Sequence, residues 1–104
     1  MSLFAVVRTR GPAWLPGVGL EGQKDWQQHA ELMERLVAEG MVVLGGPLDG
    51  TSDVLLVMRA DSAETIGQRL DEDPWTHLEL LRIRSITPWI LRLGDKSALI
   101  RVNG

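Results

Sequence analysis

Proton-transfer chemistry needs a group that exchanges its proton near neutral pH, and this chain has few. It carries two histidines, His29 and His77, and no cysteine. Histidine is the side chain whose ordinary ionisation falls in the physiological range, so an imidazole acid or base must be one of these two. Trp26, His29, Met33, Leu36 and Val37 recur at spacings of three and four. That period puts them on one helical face, with His29 turned inward. Two roles are open there: a packing histidine with a hydrogen-bond partner, or a general acid/base. His77 has no periodic context and reads as structural or exposed.

Three further groups carry chemical potential. Asp71-Glu72-Asp73 lies at the end of a predicted helix. Carboxylates there oppose the helix dipole, by about 0.3–1 kcal/mol each. Such a local violation marks either a site or a solvated acidic turn, with Asp73-Pro74 acting as the stop. Gly45-Gly46-Pro47 lies inside a strand. It signals a bend or a place where backbone approaches a ligand. Arg8 ends an apolar strand, and Arg82 and Arg84 share a face of the last one. Arginine anchors carboxylates and phenolates, although many such arginines are simply solvated. Trp14, Trp75 and Trp89 read as core and interface packing.

Composition removes other chemistries. Without cysteine there are no disulfides, thiolate nucleophiles, iron–sulfur clusters or cysteine zinc sites. Two histidines do not make a histidine cage, so no metal and no cofactor is expected. The glycine-rich dinucleotide fingerprint, the P-loop, HExxH and GxSxG are all missing. The net charge of −3 offers no basic footprint for nucleic acid. No apolar run is long enough to span a membrane or resembles a signal segment, so no membrane partner and a cytoplasmic location are expected.

The 104 residues are expected to form one domain, with a core at 3–93 and a C-terminal extension at 94–104. Apolar, β-branched runs predict strands at 3–9, 41–48, 53–59 and 81–93, with a fifth, edge strand at 97–102. Helices are predicted at 23–39, opened by an Asp25/Gln28 capping box, and at 62–70, opened by Asp61/Glu64. Gly40 reads as the left-handed stop of the first. Residues 75–78 form a further helical turn, and the glycine-rich stretch 11–22 is a long loop of the kind that often binds ligands. The order is βαββαβ. That is a ferredoxin-like α+β fold, an antiparallel sheet with two helices on one face. Phe4-Ala5-Val6-Val7, Met41-Val42-Val43-Leu44 and Val54-Leu55-Leu56-Val57-Met58 are apolar on both faces. Two helices cover only one face, so a second chain is expected on the other, most simply in a homodimer.

Several of these segments, taken in order, resemble the YCII-related (YciI-like) family. They are His29-Ala30-Glu31-Leu32, Gly40, Val43-Leu44-Gly45-Gly46-Pro47-Leu48, Asp61-Ser62-Ala63-Glu64, Asp73-Pro74-Trp75 and Ile86-Thr87-Pro88-Trp89. The resemblance spans roughly residues 3–93 and leaves the loop 11–22 and the tail outside. It implies a dimeric α+β barrel whose proposed active-site pair corresponds to His29 and Asp73. A small-molecule ligand is expected, with Arg8, Gly45, Gly46, Pro47 and Trp75 as candidate substrate contacts. Trp75 departs from the phenylalanine or tyrosine common in the family and narrows the adjoining pocket. The family includes a dehydrochlorinase of a chlorinated hydroxyhydroquinone. The expected function is therefore cofactor-independent His/Asp acid–base chemistry, lyase- or isomerase-like, on a small cyclic or aromatic metabolite. The alternatives are a non-catalytic ligand-binding or regulatory domain and a cofactorless monooxygenase of the dimeric-barrel type.

Overall fold

In the computed structural model, which describes residues 1–94, the apolar β-branched runs pair into a four-stranded antiparallel sheet of order β2-β3-β1-β4. The strands are β1 (Ser2–Arg10), β2 (Val42–Pro47), β3 (Asp53–Ala60) and β4 (Leu81–Pro88). The helices are α1 (Trp26–Ala38), α2 (Ala63–Leu70) and the single turn α3 (Pro74–His77). Helices lie on one face of the sheet, which is the α+β ferredoxin-like arrangement.

The period of two in β1 divides the two faces. Phe4, Val6 and Arg8 are buried toward the helices, while Leu3, Ala5, Val7 and Thr9 on the opposite face are half-buried. The core joins Phe4 and Val6 to Leu56 and Met58 of β3, Leu32 and Leu36 of α1, and Ile66 and Leu70 of α2. Each such side chain contributes about 1.5–3 kcal/mol by leaving water. The register pairs Ala5 with Val57, and Val57 with Leu44, so these apolar residues share the sheet face without helices. Leu44 there is 57% exposed.

The helix ends differ from expectation in instructive ways. α1 starts at Trp26, not residue 23, because Asp25 sits in the left-handed region at φ 56°. Its carboxylate makes no cap bond, so the predicted capping box does not form. α1 stops as expected: Gly40, at φ 80°, lets its amide reach Val37 O at 3.0 Å and the Met41 amide reach Leu36 O at 2.9 Å. α2 is capped by Ser62, which accepts from the Thr65 amide at 3.2 Å, and not by Asp61. β4 ends at Pro88, five residues short of the predicted 93. The predicted fifth strand at 97–102 lies outside the described residues.

β2 also corrects a reading. Its pairing with β3 continues through Gly45, Gly46 and Pro47, and the irregularity lies at Val43 instead. A proline is tolerated there because β2 is an edge strand. Beyond β1, Gly11 donates to Leu80 O at 2.9 Å. A β-carbon at position 11 would strike the Glu79 carbonyl, so only glycine lets the loop leave β1 pressed against that backbone.

Candidate active site

Asp73-Pro74-Trp75 is the start of a helix, not the stop of the one before. α2 ends at Leu70, and Asp73 is the N-cap of α3 with Pro74 at its first position. Asp73 Oδ1 accepts from the Trp75 amide at 2.9 Å. Asp73 thereby loses its apparent conflict with the dipole, while Asp71 remains the C-cap residue of α2. Asp73 faces a helix N-terminus, Glu72 receives Arg69 Nε at 2.8 Å, and His77 Nε2 donates to the Asp71 carbonyl at 2.6 Å.

The cap leaves Oδ2 facing the sheet and α1. It meets His29 Nδ1 at 2.7 Å and Arg8 Nη1 at 2.8 Å. Asp73 is fully buried and Arg8 is 1% exposed. Burial pushes the Asp73 carboxyl up, but the hydrogen bonds from His29 and Arg8 outweigh it and hold the group below its ordinary value. Asp73 is therefore an anion at neutral pH. As an acceptor it requires a proton on Nδ1, which leaves Nε2 of a neutral His29 with its lone pair. Among the described residues Nε2 has no hydrogen-bond partner.

Aromatic packing fixes the imidazole plane. The Trp75 ring lies parallel to it, with centroids 3.7 Å apart and planes 5° from coincidence. Trp75 is itself held by Nε1–H donating to Lys24 O at 2.6 Å and by the edge of Trp14 at 5.6 Å. These partners lie far apart in sequence, yet they leave the ring one tilt and one rotation.

His29 lines a cavity of about 250 Å³ on the helical side of the sheet. Its walls come from β1, the loop after β1, α1, α3 and the β2–β3 hairpin, through Arg10, Trp14, Trp26, Trp75 and Pro47 among others. The volume suits one small ring, since pockets for drug-sized ligands run ~300–1,000 Å³. Buried Gln23 braces the loop wall. Its Oε1 accepts from the Leu15 amide, and its Nε2 donates to the carbonyls of Leu15 and Val18, each at 3.0 Å. Arg10 lies over the Trp14 ring at 4.6 Å, a cation–π contact worth about 0.5–1 kcal/mol where exposed. Among the described residues no group of histidine and carboxylate side chains is arranged to hold a metal ion. No helix among them is long and apolar enough to cross a membrane.

The predicted site residues divide. His29, Asp73 and Trp75 come together. Arg8 joins them, but as a clamp: Nη1 binds Asp73 and Nη2 donates to Thr76 Oγ1 at 3.0 Å, so those arms hold protein and not substrate. Pro47 lines the cavity, whereas Gly45 and Gly46 lie in the β2–β3 ladder outside its wall. Gly45 is there because the Leu56 side chain fills the space of a β-carbon. Sequence reasoning missed Arg10, Gln23 and Thr76. Only Arg10 carried a signal, as the second arginine of the Arg8-Thr9-Arg10 end of β1. It had also assigned Trp14 to packing alone, although that ring forms part of the cavity wall.

No family model matches the sequence, and no curated protein matches it significantly. Among solved structures the chain is similar to 5-chloro-2-hydroxyhydroquinone dehydrochlorinase from Burkholderia phenoliruptrix, determined in complex with 2,5-dihydroxybenzoquinone. The TM-score is 0.58 at 24% sequence identity, covering 88% of this chain and 95% of the other. The likeness is one of fold.

Proposed function

We propose that the protein is a cofactor-independent enzyme that moves a proton on a small cyclic or aromatic metabolite, with His29 as the acid/base. One observation carries this reading: Asp73 accepts a hydrogen bond from Nδ1–H of His29 at 2.7 Å, and the remaining nitrogen belongs to a ring that lines a cavity. Asp73 orients the imidazole and stabilises the imidazolium that forms when Nε2 takes a proton. Arg8 and Thr76 hold Asp73 and its helix in place. Trp75 keeps the ring in plane. Tautomerisation of a hydroxylated ring removes a proton from oxygen and returns one to ring carbon, which a single positioned imidazole can do; elimination then expels the leaving group, chloride in a chlorinated ring, while a second hydroxyl proton is lost through the base to solvent.

The likeness to the dehydrochlorinase supports the substrate class, as do the ordered sequence motifs shared with the YciI-like family. The first assay is release of chloride from 5-chloro-2-hydroxyhydroquinone, followed by a panel of hydroxylated rings and lactones. His29→Asn should keep the fold and lower turnover about 10²–10⁴-fold. A fully active His29→Asn protein would end the reading.

The working unit in this proposal is a homodimer. The sheet face without helices carries the half-buried Ala5 and Val7 and the exposed Leu44, and Trp89 and Ile90 beyond β4 are 44% and 77% exposed. Apolar surface of this extent is the usual mark of a partner. The mass in solution tests it, and a monomer at micromolar concentration would overturn it.

A further inference from the structure

We infer that the substrate carries an anionic oxygen on its ring, a carboxylate or a phenolate, and that Arg10 on its Trp14 shelf selects for it. The inference rests on the proton-transfer reading for its ring and goes beyond it in naming the charge.

The argument is a charge balance around the cavity. Arg8 is matched by Asp73 at 2.8 Å. Asp53, which also lines the cavity, is matched by Arg84 at 2.8 Å. Arg10 lines it too, and among the described residues its guanidinium has no carboxylate partner. An unmatched cation therefore stands at the wall in a chain of net charge −3. It is also placed. The Trp14 face holds it at 4.6 Å, and Trp14 is wedged edge-on against Trp75, which stacks on His29. Arg10, Trp14, Trp75 and His29 thus form one continuous row. A cation–π contact does not consume the N–H groups of a guanidinium, and those are the donors that match a carboxylate or phenolate.

The test measures affinity, read by quenching of the tryptophans, three of which line the cavity. Two probe pairs share a ring, and methylation removes the charge of one member: 2,5-dihydroxybenzoate against its methyl ester, and 2,5-dihydroxybenzoquinone against 2,5-dimethoxybenzoquinone. The anion of at least one pair should bind about tenfold more tightly, equivalent to about 1.4 kcal/mol. Which pair shows the preference tells carboxylate from phenolate. Arg10→Gln should bring the two members within about twofold by weakening the anion alone, and Arg10→Lys should restore part of the gap. The preference should shrink with added salt. Equal affinities in both pairs, no binding of any of the four, or a preference that survives in Arg10→Gln would each overturn the inference. Because the readout is affinity, its failure leaves proton transfer by His29 standing, and loss of that chemistry leaves the affinity comparison standing.

Discussion

Replacing Asp73 by asparagine keeps the shape of the side chain and removes its charge. The amide oxygen can still accept from the Trp75 amide, so the cap on α3 survives. The other end of the side chain becomes an NH2 group facing two donors, His29 Nδ1 and Arg8 Nη1, which now sit 2.7 and 2.8 Å from Oδ2. Arg8, 1% exposed, then lacks its buried counter-charge, and solvent does not screen the loss. Removing one partner of such a pair costs about 3–5 kcal/mol. For a domain of this size that lowers Tm by roughly 15–30 °C. Urea unfolding at fixed protein concentration should show a lower midpoint with an unchanged slope. Arg8→Met should cost a similar amount for the mirror reason, a carboxylate left with one partner fewer. The double variant should lose about 2 kcal/mol less than the sum, since the two changes remove one interaction. An Asp73→Asn protein within about 1 kcal/mol of the parent, or strict additivity in the cycle, would refute the view that this pair holds the site together.

Two further outcomes follow from the same structure. The folded-state value of Asp73 lies below the ordinary 3.8, so its stabilisation is complete above that pH and is lost as pH falls through the lower folded value. Stability curves from about pH 6 to 2 should therefore fall more steeply for the parent than for Asp73→Asn, and parallel acid limbs would contradict this. Leu44→Glu places a charge on the bare sheet face without touching the cavity, and light scattering should show dimers converted to monomers while the fold persists. An undisturbed dimer would move the interface elsewhere.

The sequence was most legible where periodicity carried the signal. Period two and period 3.6 gave the βαββαβ order, and the i, i+3, i+7 run of Trp26, His29 and Met33 placed His29 on the inner face of α1. Ends were less legible, because a cap is set by backbone dihedrals. Asp25 and Asp61 look as able to cap as Ser62, yet a left-handed Asp25 points its carboxylate away and Ser62 sits one residue closer to the helix. The acidic run misled for a related reason. Asp73 caps the helix that follows it, and the four residues of α3 are too short to show a period. The role of Arg8 was hidden by distance: it lies 65 positions from Asp73, and only the folded sheet brings them together. Arg10 was hidden because a cation–π shelf leaves no spacing pattern in the chain.

Gln23 holds the loop after β1 through the amide of Leu15 and the carbonyls of Leu15 and Val18, all of them main-chain atoms. These three bonds do not depend on which side chains the loop carries at 15 and 18, except that a proline at position 15 would lack the donor. Positions of the loop that are not tied to a glycine conformation can change while its path stays pinned, and Leu20 is among those that face the cavity. The chain thus separates two burdens within a few residues: buried Gln23 maintains shape through main-chain atoms, and Trp14 and Leu20 present side chains to the cavity. New ligand preferences could arise in this segment by successive substitutions, with the His29–Asp73 pair and the sheet left untouched.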